Sequence, residues 1–411
     1  MKVGVFLHEH LPEAGGGYTY QEEVVRALVE CAAASRHDFT LFCKRPESIS
    51  WASENDRISI APALGNGPWT SNLTSVPDPP SLFSLIRGAA STTVRRLIFR
   101  PVQHLPSFEE EFKKAGVEFL WFLGTGFPVD IPYLAVVWDL QHRLQPWFPE
   151  VSENGEWDSR ERLYARVLRR ASIITTGTNA GREEIERFYQ VPASRIRILP
   201  LPTPRFASDV VPDDGTATLS KYGVPTGYLF YPAQFWAHKN HVNLLLAVRE
   251  LRDEHGLILP VVFVGSDKGN MEHVRRRVGE LGLTTQVHFL GFVPQVDLIT
   301  LYRKAFALIY VTFFGPDNLP PLEAFTLQCP VVASDVSGAR EQLGEAALLV
   351  DPTNPHEIAN AVKFLYDDPE LRHVLIERGL ERASRWTGRD FVTGIFSILD
   401  EFETIRHSWG Q

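Results

Sequence analysis

The sequence predicts an α/β protein of two doubly wound, parallel-sheet domains that face each other across a cleft. Short apolar segments with the length of buried strands alternate with segments of helical spacing, and this series occurs twice. A stretch rich in proline and aspartate, residues 199–214, separates the two series. We expect an N-terminal domain over residues 1–200, a linker over 201–215, a C-terminal domain over 216–390, and a last helix over 391–411 that crosses back to the N-terminal domain.

The first series opens with an apolar strand at residues 3–7, a glycine loop at residues 15–17 and a helix at residues 20–31. A strand, a glycine loop and a helix form the opening unit of a doubly wound domain. Further elements are strands at residues 39–43, 119–122, 133–137 and 172–176, a loop excursion at 61–81 and a basic amphipathic helix at 159–171.

The second series contains six apolar segments that are expected to be strands, at residues 228–231, 261–264, 287–290, 307–310, 331–333 and 348–350. Helical segments lie between them at residues 243–251, 298–304 and 322–327. Because strands that alternate with helices are joined by crossovers, this series predicts a second parallel sheet.

Composition limits the partners and the compartment. The net charge of −9 argues against nucleic acid as the main partner, because phosphate binding needs a basic surface. Cys31, Cys43 and Cys329 are too few and too scattered for a disulfide framework or a cysteine zinc site. No window of about 18 residues is apolar enough to cross a membrane, and the first apolar run is too short for a signal peptide. We therefore expect a cytoplasmic protein.

Ligands of open parallel sheets bind beyond the carboxyl ends of the strands, so the candidate site lies there. The loop at residues 15–17 stands between a strand and a helix, where N–H groups can approach an anion, although a tight turn needs the same glycines. Lys239 also follows a strand and could neutralise a departing diphosphate, although a solvated lysine explains it too. His238 and His241 lack a third ligand, so we predict no metal site.

The segment at residues 312–325 is the most informative part of the chain. A loop with two prolines leads into a helix whose first turn is expected to carry Glu323. A carboxylate there can accept hydrogen bonds from ribose hydroxyls while loop amides face a phosphate. The alternative is that Glu323 only stabilises the helix N-terminus.

Six short motifs of the C-terminal half point to one family. They are Gly-Glu-Ala-Ala-Leu-Leu-Val-Asp-Pro at residues 344–352, Pro-Pro-Leu-Glu-Ala at 320–324, Cys-Pro-Val-Val-Ala-Ser-Asp at 329–335, His-Lys-Asn at 238–240, Gly-Phe-Val at 291–293 and Ser-Arg-Trp at 384–386. Together they resemble the GT-B glycosyltransferases, specifically the large retaining glycosyltransferase family 4. The resemblance is strong over about residues 225–390 and thinner in the N-terminal half, as expected if that half holds a variable acceptor site.

The resemblance implies two Rossmann-like domains, with a sugar nucleotide held mostly by the C-terminal one. It implies that Lys239 binds the diphosphate and that Glu323 binds the ribose. The other donor-binding candidates are Gly16 and Gly17 over the diphosphate, Phe292 and Val293 at the base, and Asn318 and Leu319, whose amides would meet the phosphates and the sugar. Gln234 and Gly265 complete the set of donor-binding candidates.

The sequence departs from the family pattern on the donor side. Gly315 stands where the first Glu of the family's Glu, seven residues, Glu motif belongs, so Asp317 or backbone groups would contact the sugar hydroxyls. Gln234 stands where the family usually has Arg, so neutralisation of the diphosphate rests more heavily on Lys239.

A third departure lies on the acceptor side. Trp138 occupies the common His position before Asp139, and His142 is expected to take over near the acceptor. The expected catalytic residues are therefore Lys239, Asp317 and His142, and the expected acceptor-binding residues are Asp139 and His142.

The resemblance implies retaining transfer of a hexose, by family frequency mannose or glucose, from a nucleotide diphosphate sugar to a hydroxyl of a glycan or lipid-linked acceptor. The chain contains no Asp-x-Asp motif, so we expect no metal or other cofactor. The base, which could be that of GDP, UDP or ADP, and the oligomeric state are left open. The alternatives are a GT-B nucleotide-sugar epimerase, a phosphorylase without a nucleotide donor, and a non-catalytic nucleotide-sugar-binding protein.

Residues 91–99 and 161–170 mix arginine with leucine, isoleucine and valine. Such a surface can rest on an anionic membrane, where lipid-linked acceptors reside, which would make the protein membrane-peripheral. An ordinary amphipathic helix that covers a core is the simpler explanation.

Overall fold

The computed structural model describes residues 1–10, 12, 15–63, 108–206 and 214–410. Within these residues the N-terminal sheet consists of β1 (Lys2–Phe6), β2 (Asp38–Cys43), β3 (Ile58–Pro62), β4 (Phe119–Phe122), β5 (Tyr133–Val136), β6 (Ile173–Thr176) and β7 (Ile196–Ile198). The C-terminal sheet consists of β8 (Leu229–Pro232), β9 (Val261–Val264), β10 (Val287–Phe289), β11 (Ala307–Tyr310), β12 (Val331–Ser334) and β13 (Leu348–Val350).

Helices cover both faces of the two sheets. In the N-terminal half they are α1 (Gly16–Cys31), α2 (Phe108–Lys114), α3 (Gln141–Leu144), α4 (Pro149–Ser152), α5 (Glu156–Arg170) and α6 (Asn179–Tyr189). In the C-terminal half they are α7 (Thr216–Tyr222), α8 (His241–His255), α9 (Met271–Glu280), α10 (Gln295–Lys304), α11 (Leu319–Thr326), α12 (Ala339–Leu343), α13 (Pro355–Asp367), α14 (Pro369–Ser384) and α15 (Gly388–Arg406).

The strand orders confirm the prediction of two doubly wound domains. The N-terminal sheet runs β3-β2-β1-β4-β5-β6-β7 and the C-terminal sheet runs β10-β9-β8-β11-β12-β13, with parallel pairing throughout. In each sheet the chain starts in the middle, moves to one edge and then returns to the other side. The order reverses between β1 and β4 and between β8 and β11, so each sheet opens a crevice beyond the carboxyl ends of these strands.

The last helix completes the core of the N-terminal domain. Phe391, Ile395 and Leu399 on α15 are buried in the same apolar cluster as Val24 and Leu28 on α1. Thr387 begins this helix with a capping box, in which its side chain accepts from the Asp390 N–H and the Asp390 carboxylate accepts from the Thr387 N–H. Because α15 follows the C-terminal domain in sequence, it ties the two domains together. Its start lies beside the linker, where the Thr203 N–H donates to the Trp386 carbonyl at 3.2 Å.

Two edge strands were not predicted, and the reason is their position. β3 covers Ile58–Pro62 and so includes the first two residues of the loop excursion expected at residues 61–81. β7 has only three residues, with Arg197 in the middle. An edge strand is covered less completely than a central one, so it needs no continuous apolar run. Residues 64–81 of the expected loop, the arginine-rich segment 91–99 and residues 207–213 of the expected linker lie outside the described residues.

The helix expected at residues 159–171 is α5, and it packs over the core as an ordinary amphipathic helix does. Tyr164, Val167 and Leu168 are buried, whereas Arg162 and Arg166 are exposed. Among the helices in the described part of the chain, none is both long and apolar enough to span a bilayer.

Candidate active site

The loops that follow the two switch points line one cleft between the domains, with a volume of about 960 Å³. Almost all of the predicted site residues lie on its walls. They are Gly16, Gly17, Asp139, Gln234, Lys239, Gly265, Phe292, Val293, Asp317, Asn318, Leu319 and Glu323.

His142 is the predicted residue that the structure does not bring to the cleft. Its side chain is fully buried in the N-terminal domain, where the ring stacks on Tyr164 and Nε2 lies 3.0 Å from the Tyr189 hydroxyl. Burial lowers the pKa of His142 to about 4, so the ring is neutral. The short helix α3 turns this side chain back into the core, and an acceptor in the cleft cannot reach it. The expectation that His142 takes over near the acceptor is therefore corrected.

Lys239 carries a positive charge that no carboxylate of the described residues balances. It ends a 3₁₀ turn between β8 and α8, and its Nζ donates a hydrogen bond to the Tyr310 hydroxyl at 2.9 Å. Arg160, which also lines the cleft, pairs instead with Asp139 at 3.3 Å and with Glu156 at 3.1 Å. Lys239 forms no such ion pair within the described chain, so its ammonium is available to an anion.

The start of α1 adds a second positive element to the cleft. Gly15 caps this helix with φ of +71°, and Gly16 and Gly17 form its first turn. The first N–H groups of a helix have no acceptor inside it and carry a partial positive charge. A Cβ on Gly16 would lie 3.7 Å from Leu319 Cδ1, so this turn lies directly against the C-terminal domain.

Gln234 lies across the cleft from the glycine loop. Its Oε1 accepts a hydrogen bond from the Trp236 indole N–H at 2.9 Å. Its Nε2 would be 4.0 Å from a Cβ on Gly15, so the nitrogen end of the carboxamide points toward the loop.

Glu323 lies one turn further along its helix than the sequence suggested. Because α11 begins at Leu319, both prolines belong to the helix and Glu323 falls in its second turn. Its Oε2 accepts a hydrogen bond from the Tyr302 hydroxyl at 2.6 Å. Burial raises the pKa of Glu323 to about 7, and the Tyr302 hydrogen bond opposes that rise. Glu323 is therefore a buried hydrogen-bonding group rather than a carboxylate that merely stabilises a helix end.

The start of α11 offers fewer amides than a helix N-terminus usually does. The Asn318 N–H donates to Gln342 Oε1 at 3.0 Å, and Pro320 and Pro321 have no N–H. Of the first four backbone nitrogens, only that of Leu319 can donate to a ligand. The Leu319 side chain meanwhile packs into the apolar cluster of the N-terminal domain. Of the Asn318 and Leu319 N–H groups that were predicted to meet the donor, only the Leu319 N–H is therefore available among the described residues.

Asp317 bridges the domains. Its Oδ1 accepts from Gln342 Nε2 at 2.5 Å and its Oδ2 accepts from the Leu201 N–H at 3.0 Å. A Cβ on Gly177 would lie only 1.8 Å from Oδ2, so only glycine leaves room for this carboxylate. Burial raises the pKa of Asp317 to about 7, although the Leu201 and Asn318 N–H groups oppose the rise. Asp317 therefore joins the C-terminal domain to the linker at Leu201 and lies against Gly177 of the N-terminal domain, contacts that the sequence did not predict.

Three more polar contacts cross between the domains around the cleft. The Glu341 carboxylate accepts from the N–H groups of Asn179 and Ala180, at 2.8 and 3.1 Å, and thus caps α6. The His238 N–H donates to Glu150 at 3.0 Å. Gln145 Nε2 donates to the Phe313 carbonyl at 2.9 Å. These contacts were not predicted, because their partners are distant in sequence and belong to no motif.

The N-terminal wall contains polar groups without partners. Tyr20, Trp138 and Thr175 line the cleft, and each has a buried hydroxyl or indole N–H with no hydrogen-bond partner among the described residues. Buried polar groups in proteins are normally hydrogen-bonded. Asp139 adds a carboxylate that accepts from the Gln141 N–H at 2.9 Å and from Arg160. This wall suits a ligand that presents hydroxyl groups.

The loops that follow β9 and β10 form another part of the cleft wall, and each contains a glycine, Gly265 or Gly291. Gly265 has φ of +147°, and a Cβ there would lie 2.2 Å from the Ala233 carbonyl oxygen. Its N–H donates to the Gly291 carbonyl at 2.8 Å, which joins the loops after β9 and β10. Phe292 is 46% exposed and offers an open aromatic face, whereas Val293 is buried.

Clusters of potential metal ligands among the described residues lie elsewhere. They are His37, Asp400 and Glu403 in one group and Glu250, Glu254 and His255 in the other. None of these six side chains lines the cleft.

Replacement of Glu323 by glutamine should change how stability depends on pH. The pKa of Glu323 is about 7 in the folded protein against a usual value of 4.5, so the folded state binds this proton more tightly. Relative to Glu323→Gln, the wild type should lose unfolding free energy as pH rises from about 4.5 to about 7, by at most about 1.4 kcal/mol per pH unit. Urea unfolding of both proteins across this range measures the difference, and parallel pH dependences would contradict the assignment.

Comparison with known proteins agrees with this architecture. Residues 224–382 match the family model described as glycosyl transferases group 1. The O-antigen chain mannosyltransferase B of Escherichia coli is 30% identical over 250 residues, which are 60% of this chain and 65% of that protein. The match therefore spans slightly less than two thirds of that relative's length.

Two solved structures cover nearly the whole chain. Sucrose-phosphate synthase from Thermosynechococcus elongatus superposes with a TM-score of 0.69 at 17% identity, over 98% of this chain and 100% of that one. Anabaena HepE, solved in complex with UDP-glucose, superposes with a TM-score of 0.67 at 14% identity and the same coverage. The chain thus has the GT-B fold, and residues 224–382 of its C-terminal domain are similar to the glycosyl transferases group 1.

Proposed function

We propose that the protein is a retaining glycosyltransferase that moves a hexose from a nucleotide diphosphate sugar to a hydroxyl group of a glycan or lipid-linked acceptor. The observation that carries this proposal is the unbalanced ammonium of Lys239 in a cleft that also holds the first turn of α1. These two positive elements come from different domains. A diphosphate between them would be stabilised from both sides.

The remaining donor contacts follow from the same placement. Glu323, held by Tyr302, would accept hydrogen bonds from the ribose hydroxyls. The loops joined at Gly265 would receive the base, with Phe292 at the open end. On the opposite wall, Asp139 and the unpartnered groups of Tyr20 and Thr175 would bind acceptor or sugar hydroxyls.

In the proposed reaction, the bond between the anomeric carbon and the diphosphate oxygen breaks while the acceptor oxygen bonds to the same carbon. Attack on the face that the diphosphate leaves would retain the configuration, and a phosphate oxygen would take the acceptor proton. Lys239 and the α1 amides would stabilise the charge that grows on the leaving group. No side chain base is required, which agrees with the burial of His142.

The donor sugar is proposed from the relatives. The Escherichia coli protein that is 30% identical over 250 residues is named a mannosyltransferase, and HepE was solved with UDP-glucose. Both support a hexose donor, and we favour mannose because the mannosyltransferase shares more of its sequence with this chain.

Replacement of Lys239 by alanine should abolish transfer while the protein stays folded. Loss of one electrostatic contact to a developing negative charge lowers turnover by about 100-fold or more. A radiolabelled GDP-mannose and UDP-glucose panel with oligosaccharide acceptors measures turnover, and circular dichroism monitors folding. Lys363→Ala is the matched control, because Lys363 lies on α13 and forms its ion pair with Asp367, away from the cleft. Undiminished turnover by Lys239→Ala would overturn its role.

We also propose that the reaction needs no metal ion, because Lys239 and the α1 amides supply the positive charge. Turnover should therefore be the same with excess EDTA as with added Mg²⁺. A loss of activity in EDTA that Mg²⁺ restores would show that a metal neutralises the diphosphate instead.

A further inference from the structure

We propose that Trp236 is a positioning residue for the donor diphosphate, because its indole N–H fixes the orientation of the Gln234 carboxamide. This inference rests on the proposed function, since it concerns the same diphosphate. Both side chains line the cleft, and they are joined by the 2.9 Å hydrogen bond from Trp236 Nε1 to Gln234 Oε1.

The chemistry of the two groups makes the orientation unambiguous. An indole nitrogen can only donate a hydrogen bond, so the end of the carboxamide that it contacts must be the oxygen. The amide nitrogen is then the other end, and it lies on the side of the glycine loop, 4.0 Å from the position of a Cβ on Gly15. Trp236 therefore selects which end of Gln234 faces the start of α1.

This selection matters because a carboxamide attracts an anion with one end and repels it with the other. If Gln234 turned over, its Oε1 would face the phosphate oxygens and its NH₂ would face the indole N–H. An arginine at position 234 would not need an orienting partner, because its guanidinium has only hydrogen-bond donors and no acceptor. A glutamine at this place gains from a partner that keeps its oxygen away from the diphosphate.

Trp236 is itself held in place. Its backbone N–H donates to the Gln234 carbonyl at 2.9 Å, and its carbonyl accepts from the Lys239 N–H at 3.1 Å. Lys268 Nζ lies over the indole ring, 5.6 Å from its centroid. The residue thus links Gln234 to Lys239 through the backbone. Phenylalanine would keep the backbone and an aromatic ring but lose the N–H.

A double-mutant cycle tests the proposal on the full chain. UDP, GDP and ADP are titrated calorimetrically, and the tightest binder is then used throughout. We expect Trp236→Phe to weaken binding about tenfold, as for loss of an oriented hydrogen bond to a charged group. In a Gln234→Ala background the same change should weaken binding less than about twofold, because no carboxamide remains to be oriented. Equal losses in both backgrounds, or no loss in either, would overturn the proposal.

Two further variants complete the design. Gln234→Glu keeps an acceptor for the indole but places a second carboxylate oxygen toward the glycine loop, so it should bind more weakly than Gln234→Ala. Binding as tight as wild type by Gln234→Glu would overturn the proposal. Trp51→Phe is the control, since Trp51 packs against Arg26 away from the cleft and its loss should not change binding.

The experiment also separates this inference from the proposed function. If the wild type binds none of the three nucleoside diphosphates and transfers no sugar, the proposed function fails and takes this inference with it. If the wild type binds and transfers normally but Trp236→Phe does so equally well, only the role of Trp236 is overturned.

Discussion

The interaction on which the rest of the site depends is the unbalanced charge of Lys239. A lysine in a cleft of this depth is normally paired with a carboxylate, as Arg160 is with Asp139. Within the described chain Lys239 has only a tyrosine hydroxyl as partner. The start of α1 reinforces this charge rather than cancelling it, because the first-turn amides are also positive. The cleft is thus built to attract an anion although the whole chain carries a net charge of −9.

Three carboxylates at or beside the cleft accept hydrogen bonds from groups other than Lys239. Glu323 is tied to Tyr302, Asp317 to Gln342 and the linker, and Glu341 to the start of α6. The burial of Glu323 and Asp317 raises the pKa of each to about 7, which reduces their negative charge near neutral pH. Asp317 and Glu341 at the same time join the two domains. Asp317 therefore contributes both to the contact between the domains and to the charge of the cleft.

Much of this architecture could be predicted from the sequence, because parallel strands that alternate with helices leave a strong pattern. The central strands were predicted correctly on that basis. Lys239, Gln234 and Glu323, which the family resemblance implied as donor-binding residues, line the cleft. The edge strands β3 and β7 were missed because partial burial leaves no continuous apolar run. Helix boundaries leave a weaker pattern: α11 includes the two prolines that were expected in a loop, because proline fits the first turn of a helix well.

The residues that were missed or misplaced have surroundings that depend on the tertiary structure and not on a local sequence pattern. His142 follows Asp139 by three positions, but a short helix turns it into the core, and no local pattern signals that turn. Asp317, Glu150 and Glu341 meet partners that are far away in sequence, so their roles appear only when the domains are brought together. The Trp236 to Gln234 contact is local, yet its importance depends on the direction of the glycine loop, which belongs to the other domain.

The most direct measurement is a crystal structure of the protein with a bound nucleoside diphosphate, obtained with UDP and with GDP. The account predicts that the terminal phosphate lies within hydrogen-bond distance of Lys239 Nζ and of the Gly16 or Gly17 N–H, with the ribose hydroxyls at Glu323. A nucleotide bound outside this cleft, or one whose phosphates avoid Lys239, would contradict it.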